Sequence, residues 1–166
     1  MKGKRGQGVF GMSFGMIFSI IIIIAIIAIS FYVIQYFMSL NSCTKIGFFY
    51  DGLQGDVDGA WQAGISQDSF SGSLPRGIDY VCFGNFSLVA GTVKEKEIQR
   101  ELEFSVLIDN VNTFLYPVGK ACDGDLAAYN LKHVSFDRFF CLEVVKDKVE
   151  IKIEKESTDA LVRIGE

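Results

Sequence analysis

The sequence predicts an α+β fold: a long N-terminal transmembrane helix continues into an amphipathic helix packed on a small antiparallel β-sheet head. Three observations predict it. Residues 9–40 are nearly unbroken apolar sequence, and from Gly6 to Thr44 there is no Asp, Glu, Lys or Arg. Beyond residue 45 the apolar residues recur at three- and four-residue steps, the period of a helix. Toward the C-terminus they alternate with charged residues, the period of a strand.

The apolar stretch comes first. Residues 20–29 are eight Ile and two Ala. Each central Ile favours insertion by about 0.3 to 0.6 kcal/mol, so these eight supply roughly 2.4 to 5 kcal/mol. Isoleucine is a poor helix former in water. In hydrocarbon, however, every unpaired backbone group costs several kcal/mol, so the segment becomes helical. At about 1.5 Å per residue a helix over 9–40 is roughly 48 Å long, more than a bilayer core requires.

Flanking charge sets the orientation. Lys2, Lys4 and Arg5 precede the stretch, whereas the twenty residues after it carry Lys45 among Asp51, Asp56 and Asp58. The positive-inside rule places residues 1–8 in the cytoplasm and 41–166 outside the cell membrane. A cleaved secretory signal has an apolar core of about 7–15 residues and a small-residue cleavage site. Here the core is far longer, and the Ala28-Ile29-Ser30 run is followed by more apolar sequence. Retention as an anchor is expected.

Lys4-Arg5-Gly6-Gln7, followed directly by the apolar helix, resembles the class III signal of archaeal type IV pilin-like proteins. The resemblance covers about the first forty residues. It implies a cut after Gly6 at the cytoplasmic membrane face, with Gln7 as the new N-terminus and the helix retained. The fifth mature residue would be Gly11, where many pilins carry Glu. Gly11, Gly15 and Ser19 recur every four residues and so share one helix face, which lets two backbones approach closely. Self-association or docking with other membrane helices through that face is the expectation.

The remaining 41–166 hold all 20 acidic and 13 of the 16 basic residues. No basic stripe is available for phosphates, so a nucleic-acid partner is not expected. Ile46, Phe49, Leu53, Val57, Ala60 and Trp61 outline the amphipathic helix. Gly47, Gly52, Gly55, Gly59 and Gly64 each weaken it by about 1 kcal/mol relative to Ala, so it needs packing. Residues 66–77 read as a loop by composition. Residues 78–88 alternate as a half-buried strand, with Ile78, Tyr80, Cys82, Phe86 and Leu88 on one side. Residues 94–108 read as a helix, 112–116 as a short strand and 118–130 mostly as loop. Residues 139–145 and 148–155 flank Lys146-Asp147 as a hairpin with one wet face. Residues 160–164 add a last strand.

Cys43, Cys82, Cys122 and Cys141 all fall on the outer side. An even count in a small extracytoplasmic domain predicts two disulfides. Three pairings exist; Cys82–Cys141 is favoured because both sit in predicted strands, leaving Cys43–Cys122. A zinc site is disfavoured, since there is no close ligand pair and His133 stands alone. Asn85-Phe86-Ser87 is an acceptor pattern for N-glycosylation, meaningful only outside the cytosol.

No catalytic constellation emerges. Asp56 and Asp58 are two apart on a helix and do not face each other. Cys122-Asp-Gly-Asp125 lacks the remaining ligands of a calcium loop and reads as a turn. No phosphate-cradling glycine loop, cofactor motif or small-molecule site is indicated. The expectation is a non-enzymatic, pilin-like or envelope structural protein whose partners are the bilayer and other helices, including copies of itself. The alternative is a tethered binding or accessory subunit that never polymerises.

Overall fold

A computed structural model describes residues 14–165. The chain divides into two compact units, Met1–Ser39 and Leu40–Glu166. One helix, α1 (Phe14–Ala63), contributes to both. The second unit adds strands β1 (Ser66–Ser73) and β2 (Tyr80–Phe83), helix α2 (Val93–Ser105) and strands β3 (Thr113–Tyr116), β4 (Ala128–Tyr129), β5 (Val134–Ser135), β6 (Phe140–Glu143), β7 (Lys148–Lys155) and β8 (Val162–Gly165). The strands form two four-stranded sheets, ordered β1-β7-β8-β5 and β4-β3-β2-β6. Every pairing is antiparallel except β5 with β8.

Two apolar clusters hold this unit together. In the larger, Ile46, Phe49, Tyr50, Leu53, Val57 and Ala60 from α1 meet Val149, Ile151 and Ile153 of β7 and Val81, Phe83 and Leu115 of the second sheet. The predicted amphipathic face is the buried face of α1, while Trp61 lies at its edge, 38% exposed. The smaller cluster sets Ile98, Leu102 and Val106 against Cys82, Phe114 and Phe139. The second sheet is therefore covered on both faces, by α1 on one and α2 on the other.

That layering corrects the half-buried strand expected at 78–88. The strand is shorter, and Val81, Cys82 and Phe83 are all fully buried, so no polar alternation survives. A strand with two covered faces has no wet side to mark. Asn85 accordingly lies past the strand end, in a turn, rather than on a strand face.

A second correction concerns residues 66–77. Ser66–Ser73 is a full strand, paired residue for residue with Lys155–Lys148. Its serines and Asp68 hid it, because strand propensity reflects fit to neighbours more than intrinsic preference. Phe70 and Gly72 are what fit. The Phe70 ring packs edge-on against Phe49 with centroids 5.6 Å apart. A Cβ on Gly72 would sit 2.5 Å from the Phe49 ring, so only glycine allows that approach.

The predicted C-terminal hairpin is half right. Val145 and Lys148 exchange backbone hydrogen bonds of 2.9 and 3.1 Å around Lys146-Asp147. Both turn residues have positive φ, 53° and 63°, the conformation of a tight hairpin turn. Yet β6 pairs with β2 in one sheet and β7 with β1 and β8 in the other. The turn is a hinge between sheets. In β7 the expected alternation holds: Val149, Ile151 and Ile153 are buried while Glu150, Lys152 and Glu154 are exposed. The expected loop over 118–130 contains two short 3-10 turns, Val118–Lys120 and Cys122–Gly124, and then β4.

Candidate functional site

Three features carry chemistry: the apolar surface of α1, the disulfide-tied head, and a small set of polar side chains on that head. In the first unit the large apolar side chains between Met16 and Met38 are 41% to 72% exposed within the chain. The helix Gly15–Ala63 contains an 18-residue window of mean hydropathy 3.1, long and apolar enough to cross a membrane. Its 26 described residues from 14 to 39 span about 39 Å, against about 30 Å for a hydrocarbon core. Two serines on this surface, Ser19 and Ser30, are bonded within the helix. Ser19 Oγ donates to the Gly15 carbonyl at 2.8 Å and Ser30 Oγ to that of Ile26 at 2.7 Å. Each of these two hydroxyls is satisfied by its own helix. Gly15 and Ser19 thus lie one turn apart on one exposed face, while Gly11 and the Gly6-Gln7 junction lie outside the described residues.

Both disulfides are formed, Cys43–Cys122 and Cys82–Cys141, with Cα atoms 5.0 and 4.0 Å apart. The first ties α1 to the Cys122–Gly124 turn, and the second joins directly paired positions of β2 and β6. They bridge sequence separations of 79 and 59 residues. In the chain-entropy account, loops of that size are worth about 4 kcal/mol each.

The lone histidine has company that spacing could not reveal. His133 Nδ1 donates to Asp58 Oδ1 at 2.9 Å, and Gln54 Nε2 donates to the same oxygen at 2.8 Å. The His133 ring stacks on Trp61, with centroids 4.0 Å apart and planes 5° from parallel. The Trp61 indole N–H donates to the Ala160 carbonyl at 3.2 Å. The His133 hydrogen bond first, then those of Gln54 and the Lys132 charge, hold the Asp58 carboxyl below its usual range despite the opposing effect of desolvation. With the Lys132 backbone bonded to Gln54 as well, these contacts hold residues 132 and 133 against α1. Asp56, exposed, takes no part in it. Among the described residues no three His, Cys, Asp or Glu side chains gather to hold a metal.

Two surface features complete the head. Phe104 and Leu107 are 80% and 91% exposed at the end of α2, beside exposed Ile108. An open cleft of about 650 Å³ lies between Asn85 and the 108–112 segment. Fold and site together define a class: an α+β head, disulfide-bonded and joined to a membrane-length apolar helix. No protein-family model, curated protein or solved structure matches the chain.

Proposed function

We propose that this chain is a single-pass membrane protein anchored by residues 9–40, with residues 1–8 in the cytoplasm and the head outside the cell membrane. There it acts as a structural, pilin-like or related envelope component through helix–helix and head-domain contacts, without catalysis. The observation that carries this reading is the apolar surface of α1 from residue 15 to 40, where every large apolar side chain is exposed and no residue is charged. In water such a surface would be costly at about 25 cal/mol per Å². Lipid, or the same helix of a second copy, removes that cost. The Gly15–Ser19 face is where two such helices come closest.

Sequencing of the mature N-terminus tests the pilin-like route: Gln7 as the first residue supports processing, and an intact Met1-Lys2 start rejects it. Crosslinking in membranes tests association. Gly11→Leu with Gly15→Leu is expected to abolish oligomers, and unchanged oligomers would remove that face from the scheme. A second reading, a tethered subunit that does not polymerise, is favoured by Gly11 at the fifth mature position in place of Glu. Extraction into carbonate as a soluble full-length species would defeat both.

A further inference from the structure

Strand β2 ends at Phe83, and the chain reverses at Gly84, whose φ of 110° suits glycine. A Cβ there would lie 3.1 Å from the Arg138 carbonyl oxygen and the Phe139 Cα. The reversal is thus built in, and it delivers the Asn85-Phe86-Ser87 triplet to the surface. The turn closes with Leu88 N–H donating to the Asn85 carbonyl at 3.1 Å. Gln99 on α2 pins it by donating to the carbonyls of Phe86 and Leu88 at 3.2 and 2.9 Å. Phe86 faces inward, its ring stacked on Phe114 at 4.8 Å.

Within this fixed turn Ser87 Oγ donates to Asn85 Oδ1 at 2.6 Å. The amide oxygen is engaged by the hydroxyl, while among the described residues no hydrogen bond uses Asn85 Nδ2. Asn85 is exposed and borders the open cleft of about 650 Å³, whose other walls include Asp109, Asn110, Asn112 and Asn130. Phe86, Ile108 and Val111 line the rest of it, so the amide nitrogen faces open space with polar groups and some apolar surface beside it, which accommodates a first sugar residue.

We propose that Asn85 is an N-glycosylation site, modified from a lipid-linked oligosaccharide diphosphate by a membrane transferase on the outer side. This rests on the proposed placement of the head outside the cell membrane. In the transfer, Nδ2 attacks the anomeric carbon and a nitrogen–carbon bond forms. The carbon–oxygen bond to the diphosphate breaks, the lipid diphosphate leaves with the bonding pair, and one amide proton passes to a base of the transferase. The acceptor pattern demands a hydroxyl two residues on and forbids proline between, and Ser87 and Phe86 meet both conditions.

The test is mass spectrometry of the Asn85 peptide from full-length chain isolated from its own cell membranes. Membrane-impermeant amine labelling of intact cells runs in parallel. The expected result is a peptide heavier than its sequence by whole glycosyl units, bare in Asn85→Gln and in Ser87→Ala and heavy again in Ser87→Thr. Unchanged melting of Asn85→Gln is expected to show that the exposed amide plays no part in folding. A bare wild-type peptide on a head that the reagent labels overturns the proposal and leaves the membrane reading standing. A head that the reagent cannot reach overturns both. An added mass that persists in Asn85→Gln assigns the sugar elsewhere and also overturns it.

Discussion

Gly72 and Gly55 look alike in the sequence, yet the structure asks opposite things of them. Gly72 lies against Phe49, and a Cβ there would meet the ring at 2.5 Å, whereas nothing lies within 4 Å of a Cβ on Gly55 in α1. Gly72→Ala should therefore lower stability by about 1–3 kcal/mol through overpacking. Gly55→Ala should raise it by about 0.5–1 kcal/mol through restricting the unfolded chain. Thermal melts of the two variants in detergent check the pair, and a shift of the same sign in both would contradict the packing described. The residue scale is also where sequence reading fell shortest. His133 looked solitary because Asp58 is 75 positions away, and only the fold closes the 2.9 Å between them.

At the scale of elements, α2 has a cap and a tether that the spacing of its apolar residues did not show. Thr92 and Glu95 form a capping box: Glu95 N–H donates to Thr92 Oγ1 at 3.2 Å, and Thr92 N–H donates to Glu95 Oε2 at 2.6 Å. The other carboxylate oxygen, Oε1, accepts from Cys141 N–H of β6 at 3.2 Å, which fastens the helix start to the sheet. Burial opposes ionisation of Glu95. The Thr92 and Cys141 amides, the Thr92 hydroxyl and the Arg138 charge outweigh it and hold the carboxyl below its usual range. A depressed carboxyl stabilises the fold above its unfolded pKa, and that contribution is lost as pH falls through the lower folded value. Glu95→Gln should cost about 1–2 kcal/mol at neutral pH. It should also remove part of the acid-side decline. Melting temperature followed from neutral to acid pH reads both, and parallel curves for wild type and variant would argue against the tether. The spacing of Ile98, Leu102 and Val106 marked this helix. The double coverage of β2 left no such mark: the alternation read over 78–88 suggested one wet face, whereas Val81, Cys82 and Phe83 are all buried.

For the whole molecule, the head is a modest core held by two long-range covalent ties. At about 4 kcal/mol each in the chain-entropy account, the bridges together approach the whole net stability of an ordinary domain, about 5–15 kcal/mol. Reductant should accordingly unfold the head or lower its melting temperature by tens of degrees, read by circular dichroism of the full chain in detergent. A melt indifferent to reductant would mean that the apolar clusters suffice. The amino-acid sequence by itself determined the long apolar helix, the α+β class, the inward face of α1 and the wet face of β7. Each is written as a local period or an unbroken run, and local patterns need no partner to be read. Only the tertiary structure decided that Ser66–Ser73 is a strand, that the C-terminal hairpin opens between two sheets, and that His133 rests on Trp61. Those outcomes depend on which surfaces, far apart along the chain, meet once apolar area is buried.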